Sequence, residues 1–183
     1  MATLSQNINE AIKLVNGFRT VVEGTATQIT IPNGATAISK GVFTGKTSLI
    51  NIEIPDSVTN IGEQAFKDCT NLEKAIIPNS VTTIGATAYG GCINLEEIVI
   101  GNGVTAIPDY CFAYISFANG CDIYLSSNIT AIGSYAFGDM LNYGNVDIYY
   151  EGSQSDWNNI NIGSYNSLFN SPNTTFHYNY TPT

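Results

Sequence analysis

Asn51-Ile52-Glu53-Ile54-Pro55-Asp56-Ser57-Val58-Thr59-Asn60-Ile61-Gly62-Glu63-Gln64-Ala65-Phe66-Lys67-Asp68-Cys69-Thr70-Asn71-Leu72 decides the fold, because the chain writes this stretch repeatedly. A shift of 23 residues lays Ile54-Pro55 on Ile31-Pro32 behind it and on Ile77-Pro78 ahead, with Ile100-Gly101 one step further. Ile61 returns as Ile38, Ile84 and Ile107, Phe66 as Phe43, Tyr89 and Phe112, and Val58 as Ala35, Val81 and Val104. A fifth copy follows at a spacing of 25, through Leu125, Ile129, Ile132 and Phe137. A sixth strand-like segment, Asp147-Ile148-Tyr149-Tyr150, lies 25 residues beyond Asp122-Ile123-Tyr124-Leu125. Repeats of this length predict a solenoid, in which each unit buries its apolar side against its neighbours.

One unit can be read physically. Ile52-Glu53-Ile54 alternates as a short strand should, with Ile52 and Ile54 inward and Glu53 outward. Pro55 fixes its own φ and donates no ladder hydrogen bond, so the strand bends away there. Val58 and Ile61 return to the core, Gly62 permits a tight bend, and Gln64-Ala65-Phe66-Lys67 reads as one turn of α- or 3₁₀-helix on the far side. Phe66 fills the coil, and Cys69 and Leu72 close it before the next strand. Six strand segments at about 4.8 Å each give a body on the order of 29 Å long, with a parallel sheet along one side.

The motif resembles the BspA-like class of leucine-rich repeats, whose units read roughly I-P-x-x-V-T-x-I-G-x-x-A-F-x-x-C-x-x-L. The resemblance is carried by Ile54 to Gly62 with Ala65, Phe66, Cys69 and Leu72, and again by Ile77 to Gly85 with Ala88, Tyr89, Cys92 and Leu95. It covers about residues 28 to 178, and Tyr149 to Trp157 with Asn166 to Asn170 looks like the C-terminal cap that often ends such arrays. It implies a right-handed leucine-rich-repeat coil of α/β type, with a short parallel β-sheet on one face and short helical or 3₁₀ turns on the other. It further implies bacterial or protozoan surface proteins that use the array for adhesion or protein binding, without enzyme activity. The expected organisation is an N-terminal amphipathic helix and cap at 1–27, five repeats of 23–25 residues at 28–147, and a C-terminal cap and tail at 148–183.

Length and a 44% apolar composition suit one such array. The net charge of −9 argues against nucleic acid and against docking on an anionic membrane, which need clustered Lys and Arg. Charge is also lopsided. All the basic residues (Lys13, Arg19, Lys40, Lys46, Lys67, Lys74) precede residue 75, whereas Glu96, Glu97, Asp109, Asp122, Asp139, Asp147, Glu151 and Asp156 follow it. The back half therefore suits a basic partner, a metal ion or a polar glycan, or is simply a solvated acidic face.

No stretch is long and apolar enough for a transmembrane helix. Met1 to Asn7 lacks the basic start and apolar run of a secretory signal. Three readings stay open: a mature fragment with a new Met, a cytoplasmic chain, or export outside the general route, for example in a phage particle. Residues 3–16 read as an amphipathic helix through Leu4, Ile8, Ala11, Ile12 and Val15, which either covers the open end of the stack or attaches the array to an assembly. Phe18 to Val22 reads as a short strand. Two-residue expansions at 113–122 and 138–147 read as loops that adjust the geometry of the array or carry a contact.

The four cysteines read as core-filling thiols. Cys69 and Cys92 share a column about 5 Å apart, but side chains in one column point the same way. No metal-ligand spacing, phosphate loop or other cofactor signature is present. The single histidine, His177, lies in a closing strand, Thr174 to Tyr178, as a surface or cap residue, which leaves nucleophilic triads without a base.

What remains is a binding surface. Thr30, Glu53, Ile76, Val99, Tyr124 and Tyr149 should point out of the sheet, flanked by Gln28, Asn51, Lys74, Glu97, Asp122 and Asp147. Ile76, Val99, Tyr124 and Tyr149 then form an apolar to aromatic stripe edged by Glu97, Asp122 and Asp147, the arrangement of a ligand-binding face, although Ile, Val and Tyr also favour strands in their own right. Tyr beside Asp suits sugars as well as proteins. The expectation is a non-enzymatic adhesion module for a host or matrix protein or a glycan. The alternative is a structural or receptor-binding part of a larger assembly held by the N-terminal helix.

Overall fold

In the computed structural model the described residues are 26–138 and 142–182. The helix expected at 3–16, the strand at Phe18 to Val22 and residues 139–141 of the second expansion lie outside them.

The alternating segments form the strands that the repeat requires. In chain order the strands are β1 (Gln28–Thr30), β2 (Ala37–Ile38), β3 (Asn51–Glu53), β4 (Asn60–Ile61), β5 (Lys74–Ile77), β6 (Thr83–Ile84), β7 (Glu97–Ile100) and β8 (Ala106–Ile107). They continue as β9 (Ser116–Phe117), β10 (Cys121–Leu125), β11 (Ala131–Ile132), β12 (Asn142–Tyr143), β13 (Val146–Tyr150), β14 (Asn161–Ile162) and β15 (Thr174–Tyr178). β5, β7, β10, β13 and β15 lie side by side in one parallel sheet, and β1 pairs with β3 just before it. The Glu73 N–H donates to Ile50 O at 3.1 Å and keeps the coils in step between the two groups. In register, Ala75, Ile98, Ile123 and Ile148 form one inward row that is fully buried.

A second row of strands runs along the coil. β2, β4 and β6 pair in parallel, as do β8, β11 and β14, and they present Ile38, Ile61, Ile84, Ile107 and Ile132 to the same core. Each is two residues long, too short for a period-2 pattern to appear in the sequence. Gly62 opens the turn that the Ala65 N–H closes, without a left-handed φ. A Cβ at Gly62 would stand 2.5 Å from the Lys40 nitrogen of the preceding coil, so the residue is small to let the coils approach.

The far side departs from expectation. Gln64 to Lys67 form no helix, because Gln64 and Asp68 sit at φ 57° and 58°, a left-handed conformation that no right-handed helix contains. The N–H groups of Ala65, Lys67 and Cys69 close turns on Gly62, Gln64 and Phe66, while those of Gln64, Phe66 and Asp68 reach the next coil at Ala86, Ala88 and Gly90. A helix would turn every donor back on its own chain; the alternation sends half of them to the neighbour. The same left-handed position recurs at Gly41, Thr87, Tyr110, Tyr135 and Tyr165.

Between these walls runs an aromatic column. Phe43, Phe66, Tyr89, Phe112 and Phe137 stack face to face, with centroids 5.3, 4.9, 5.3 and 5.2 Å apart. All four cysteines are buried free thiols. The Cys69 and Cys92 thiols donate to Phe43 O and Phe66 O at 3.1 Å, each towards the preceding coil and not towards the other sulfur. Burial pushes the Cys69 thiol up to about 11 and raises those of Cys92, Cys111 and Cys121. The first expansion buries Ile115 and Phe117, and its strand β9 pairs with β12.

Beyond β13 a short helix, α1 (Gln154–Trp157), starts on a capping box between Ser153 and Asp156. Trp157 packs edge-on against Tyr150, Phe169 and Phe176. The Asn166 side chain accepts from the Phe137 N–H at 2.8 Å and donates to Gly133 O and Gly163 O, doing with one amide what another coil would do with its backbone. Among the described residues no helix is long and apolar enough to cross a membrane.

Candidate recognition surface on the parallel sheet

The register of the sheet sets its outer face. Ile76, Val99, Tyr124 and Tyr149 align as strand neighbours and continue to His177 on β15. Two residues earlier, Lys74, Glu97, Asp122 and Asp147 align and end at Thr175. All seven residues expected on this surface thus stand on one face of one sheet. Ile76 is 39% exposed and the other six are partly exposed.

His177 and Tyr180 belong to this face too. The Tyr124 and Tyr149 rings stack at 4.7 Å, and Tyr149 stacks on the His177 ring at 4.6 Å. His177 Nε2 lies 2.7 Å from Asp147 Oδ1. Tyr180 leans across both tyrosines, 5.5 Å from Tyr124 and 5.2 Å from Tyr149. His177 lies 28 residues after Tyr149, off the 25-residue spacing, because the segment containing α1 intervenes; only the alternation of Phe176-His177-Tyr178 signals its outward position.

Charge along the row is ordered. At one end Lys74 Nζ pairs with Glu97 Oε2 at 2.6 Å, and at the other the His177 ring meets Asp147. Asp122 stands between them. Partial burial, then the neighbouring Asp147 and Glu97 carboxylates, raise its pKa. Partial burial, followed by the Asp122 charge, pushes the Tyr124 phenol up to about 12, so its hydroxyl keeps its proton as a donor.

Size changes abruptly along the outward row. Tyr149 has one ring face against Tyr124 and the other against His177, whereas the second face of Tyr124 looks over the smaller Val99. At this step a groove of about 530 Å³ opens, with Glu97, Val99, Tyr124, Glu151, Tyr180 and Pro182 among its walls. On the turn side another stack, Tyr110, Tyr135 and Tyr165, has centroids 4.9 and 4.4 Å apart, and the sequence reading did not single it out. Among the described residues no group of three or more His, Cys, Asp and Glu is arranged to hold a metal ion.

The family comparison agrees with this architecture. A BspA type leucine-rich repeat region is matched in six copies over residues 23–144. No curated protein matches the chain. Similar solved structures include a leucine rich cell surface protein from Faecalibacterium prausnitzii, at 20% identity and TM-score 0.45, covering 79% of this chain and 65% of that one. They also include the pneumococcal vaccine antigen PcpA, at 21% identity and TM-score 0.49, over 67% of this chain and 30% of that one. A leucine rich repeat protein of T. pallidum is 18% identical over 68% of this chain and 74% of that one, with TM-score 0.40. The chain thus spans less than two thirds of the first two of these proteins. With the motif matched over more than half its length and wound into the coil that the motif demands, the chain belongs to the family of BspA type leucine-rich repeat proteins.

Proposed function

We propose that this chain is a non-enzymatic adhesion or binding module of extracellular or cell-surface type, which takes a host or matrix protein or a glycan on the outer face of its parallel sheet. Ile76, Val99, Tyr124 and Tyr149 supply the contact area, and Glu97, Asp122 and Asp147 supply hydrogen-bond acceptors along its edge. One observation carries the reading: a stack of Tyr124, Tyr149 and His177 stands on the solvent side of strands whose inner side already closes the core. Earlier strands of the sheet pair in the same register with Ile76 and Val99 at this place, and partly exposed aromatic clusters with polar rims mark recognition surfaces.

The test is a binding screen of the purified chain against matrix proteins, mucins and a glycan array, run beside the Tyr124→Ala, Tyr149→Ala double variant. A ligand held by the parent and lost by the variant, with the melting curve retained, is the expected result. Equal binding by both would move recognition off the sheet.

A further inference from the structure

We infer that the groove beside Tyr124 receives a basic side chain, Lys or Arg, presented by a partner polypeptide that lies along the sheet. The inference rests on the reading of the sheet face as the binding surface and names the chemistry of what binds there.

Three features converge on one spot. The first is the face of the Tyr124 ring on the Val99 side, which lines the groove and on which no other ring stacks among the described residues, with Tyr180 tilted beside it at 5.5 Å. An aromatic face attracts a cation through its quadrupole. The second is charge: Glu97 and Glu151 line the groove, Asp122 stands beside Glu97 on the next strand, and none of the residues lining it is basic. Lys74 engages Glu97 through Oε2, and the Ser127 N–H donates to Oε2 of Glu151, contacts that hold the two carboxylates in place without closing the space between them. The third is continuity with Ile76 and Val99, which lead from the groove along the sheet as an apolar path for the residues flanking the basic one.

The stacking geometry separates this occupant from a glycan chain. Sugars use ring faces, and in this row both faces of Tyr149 are taken, by Tyr124 and His177. One pyranose could lie on Tyr124, but a polysaccharide finds no run of open platforms. A single cationic head needs only the one open face and the carboxylates around it. The −9 net charge adds long-range attraction for a basic partner and repels an acidic one.

The test uses one otherwise uncharged, soluble peptide in four versions that differ at a central position: lysine, arginine, the uncharged isostere norleucine, and glutamate. Binding to the full chain is followed by two-dimensional NMR, with neutral oligosaccharides as a fifth probe. The expected result is binding of the lysine and arginine peptides with shifts centred on Val99, Gly101 and Tyr124, weakened about tenfold by norleucine. The Glu97→Gln, Asp122→Asn pair should weaken it similarly, and rising salt should weaken it further. Norleucine binding as well as lysine, a neutral sugar binding at the same residues undiminished by the carboxamide pair, or no peptide binding at all would overturn the basic occupant. The first two results would leave the sheet-face reading intact. Lysine binding with shifts away from the sheet, unchanged in Tyr124→Ala, would sink both.

Discussion

Two aromatic columns run along this stack at nearly the same spacing, and they mean different things. The inner one, from Phe43 to Phe137, passes through five coils with centroids 4.9 to 5.3 Å apart and no exposed member. The outer one, Tyr124, Tyr149 and His177, is confined to the last three strands of the sheet and is partly exposed. Earlier strands carry Thr30, Glu53, Ile76 and Val99 at its place and fold the same way. A coil must fill its interior, so the inner column is set by packing. The outer positions are released from that demand, and what stands there is open to be shaped by a ligand.

The sharpest way to break this contrast is to remove one ring from each column. Phe66→Ala deletes a fully buried side chain and both of its stacks, and should destabilise the chain by about 3–5 kcal/mol. Tyr124→Ala removes a partly exposed ring and should stay within about 1 kcal/mol of the parent. Urea denaturation of the two variants checks this, and equal losses would show that the outer stack is structural after all.

A second variant sharpens the comparison from inside. Tyr89 is the one inner-column member with a hydroxyl, and that hydroxyl is buried without a hydrogen-bond partner. Burial raises its pKa well above the phenol range, so it is a neutral donor facing nothing. Tyr89→Phe restores the residue type of the adjoining coils and should stabilise by about 1 kcal/mol, read as a higher urea midpoint at unchanged slope. A loss of stability would reveal a partner for the hydroxyl.

How far these columns could be read from sequence follows from period and length. The sheet strands were legible because three to five alternating residues recur at fixed spacing, and the site row followed by counting outward positions. Two-residue strands such as Asn60–Ile61 carry no pattern of their own, and only their coil-to-coil pairing makes them a sheet. The turn at Gln64 escapes a local reading because Gln, Ala, Phe and Lys favour or tolerate helix, whereas its left-handed φ goes with a hydrogen bond to Ala86 that exists only once the next coil is stacked. His177 and Tyr180 joined the site through the break in spacing around α1, which a fixed period steps over. Local signals gave the elements; contacts made only after stacking gave the rest.

The smallest effect tests the electrostatics of the outer row through two aspartates with opposite histories. Partial burial and the Asp147 and Glu97 charges raise the Asp122 pKa above its ordinary 3.8. As pH climbs from that value, the unfolded chain releases the proton first, so the folded state binds more protons and loses stability until its own pKa is passed. Above that point the loss is complete and constant. Asp122→Asn removes it, so the variant should match the parent near pH 3 and exceed it at pH 7, on the order of half a kcal/mol after solvent screening. Asp156 at the start of α1 runs the other way. Hydrogen bonds from the Ser153 hydroxyl and N–H lower its pKa, so its contribution is present above the ordinary carboxylate value and fades as pH falls through the lowered one. Asp156→Asn should therefore weaken the chain at pH 7 and converge with the parent in acid. In thermal melts across pH 3 to 7 the two variants should meet the parent in acid and part from it on opposite sides towards pH 7, Asp122→Asn above and Asp156→Asn below. An Asp122→Asn curve that runs parallel to the parent would mean that the carboxylates of the sheet row do not feel one another, and that a cation in the groove has less to gain from them.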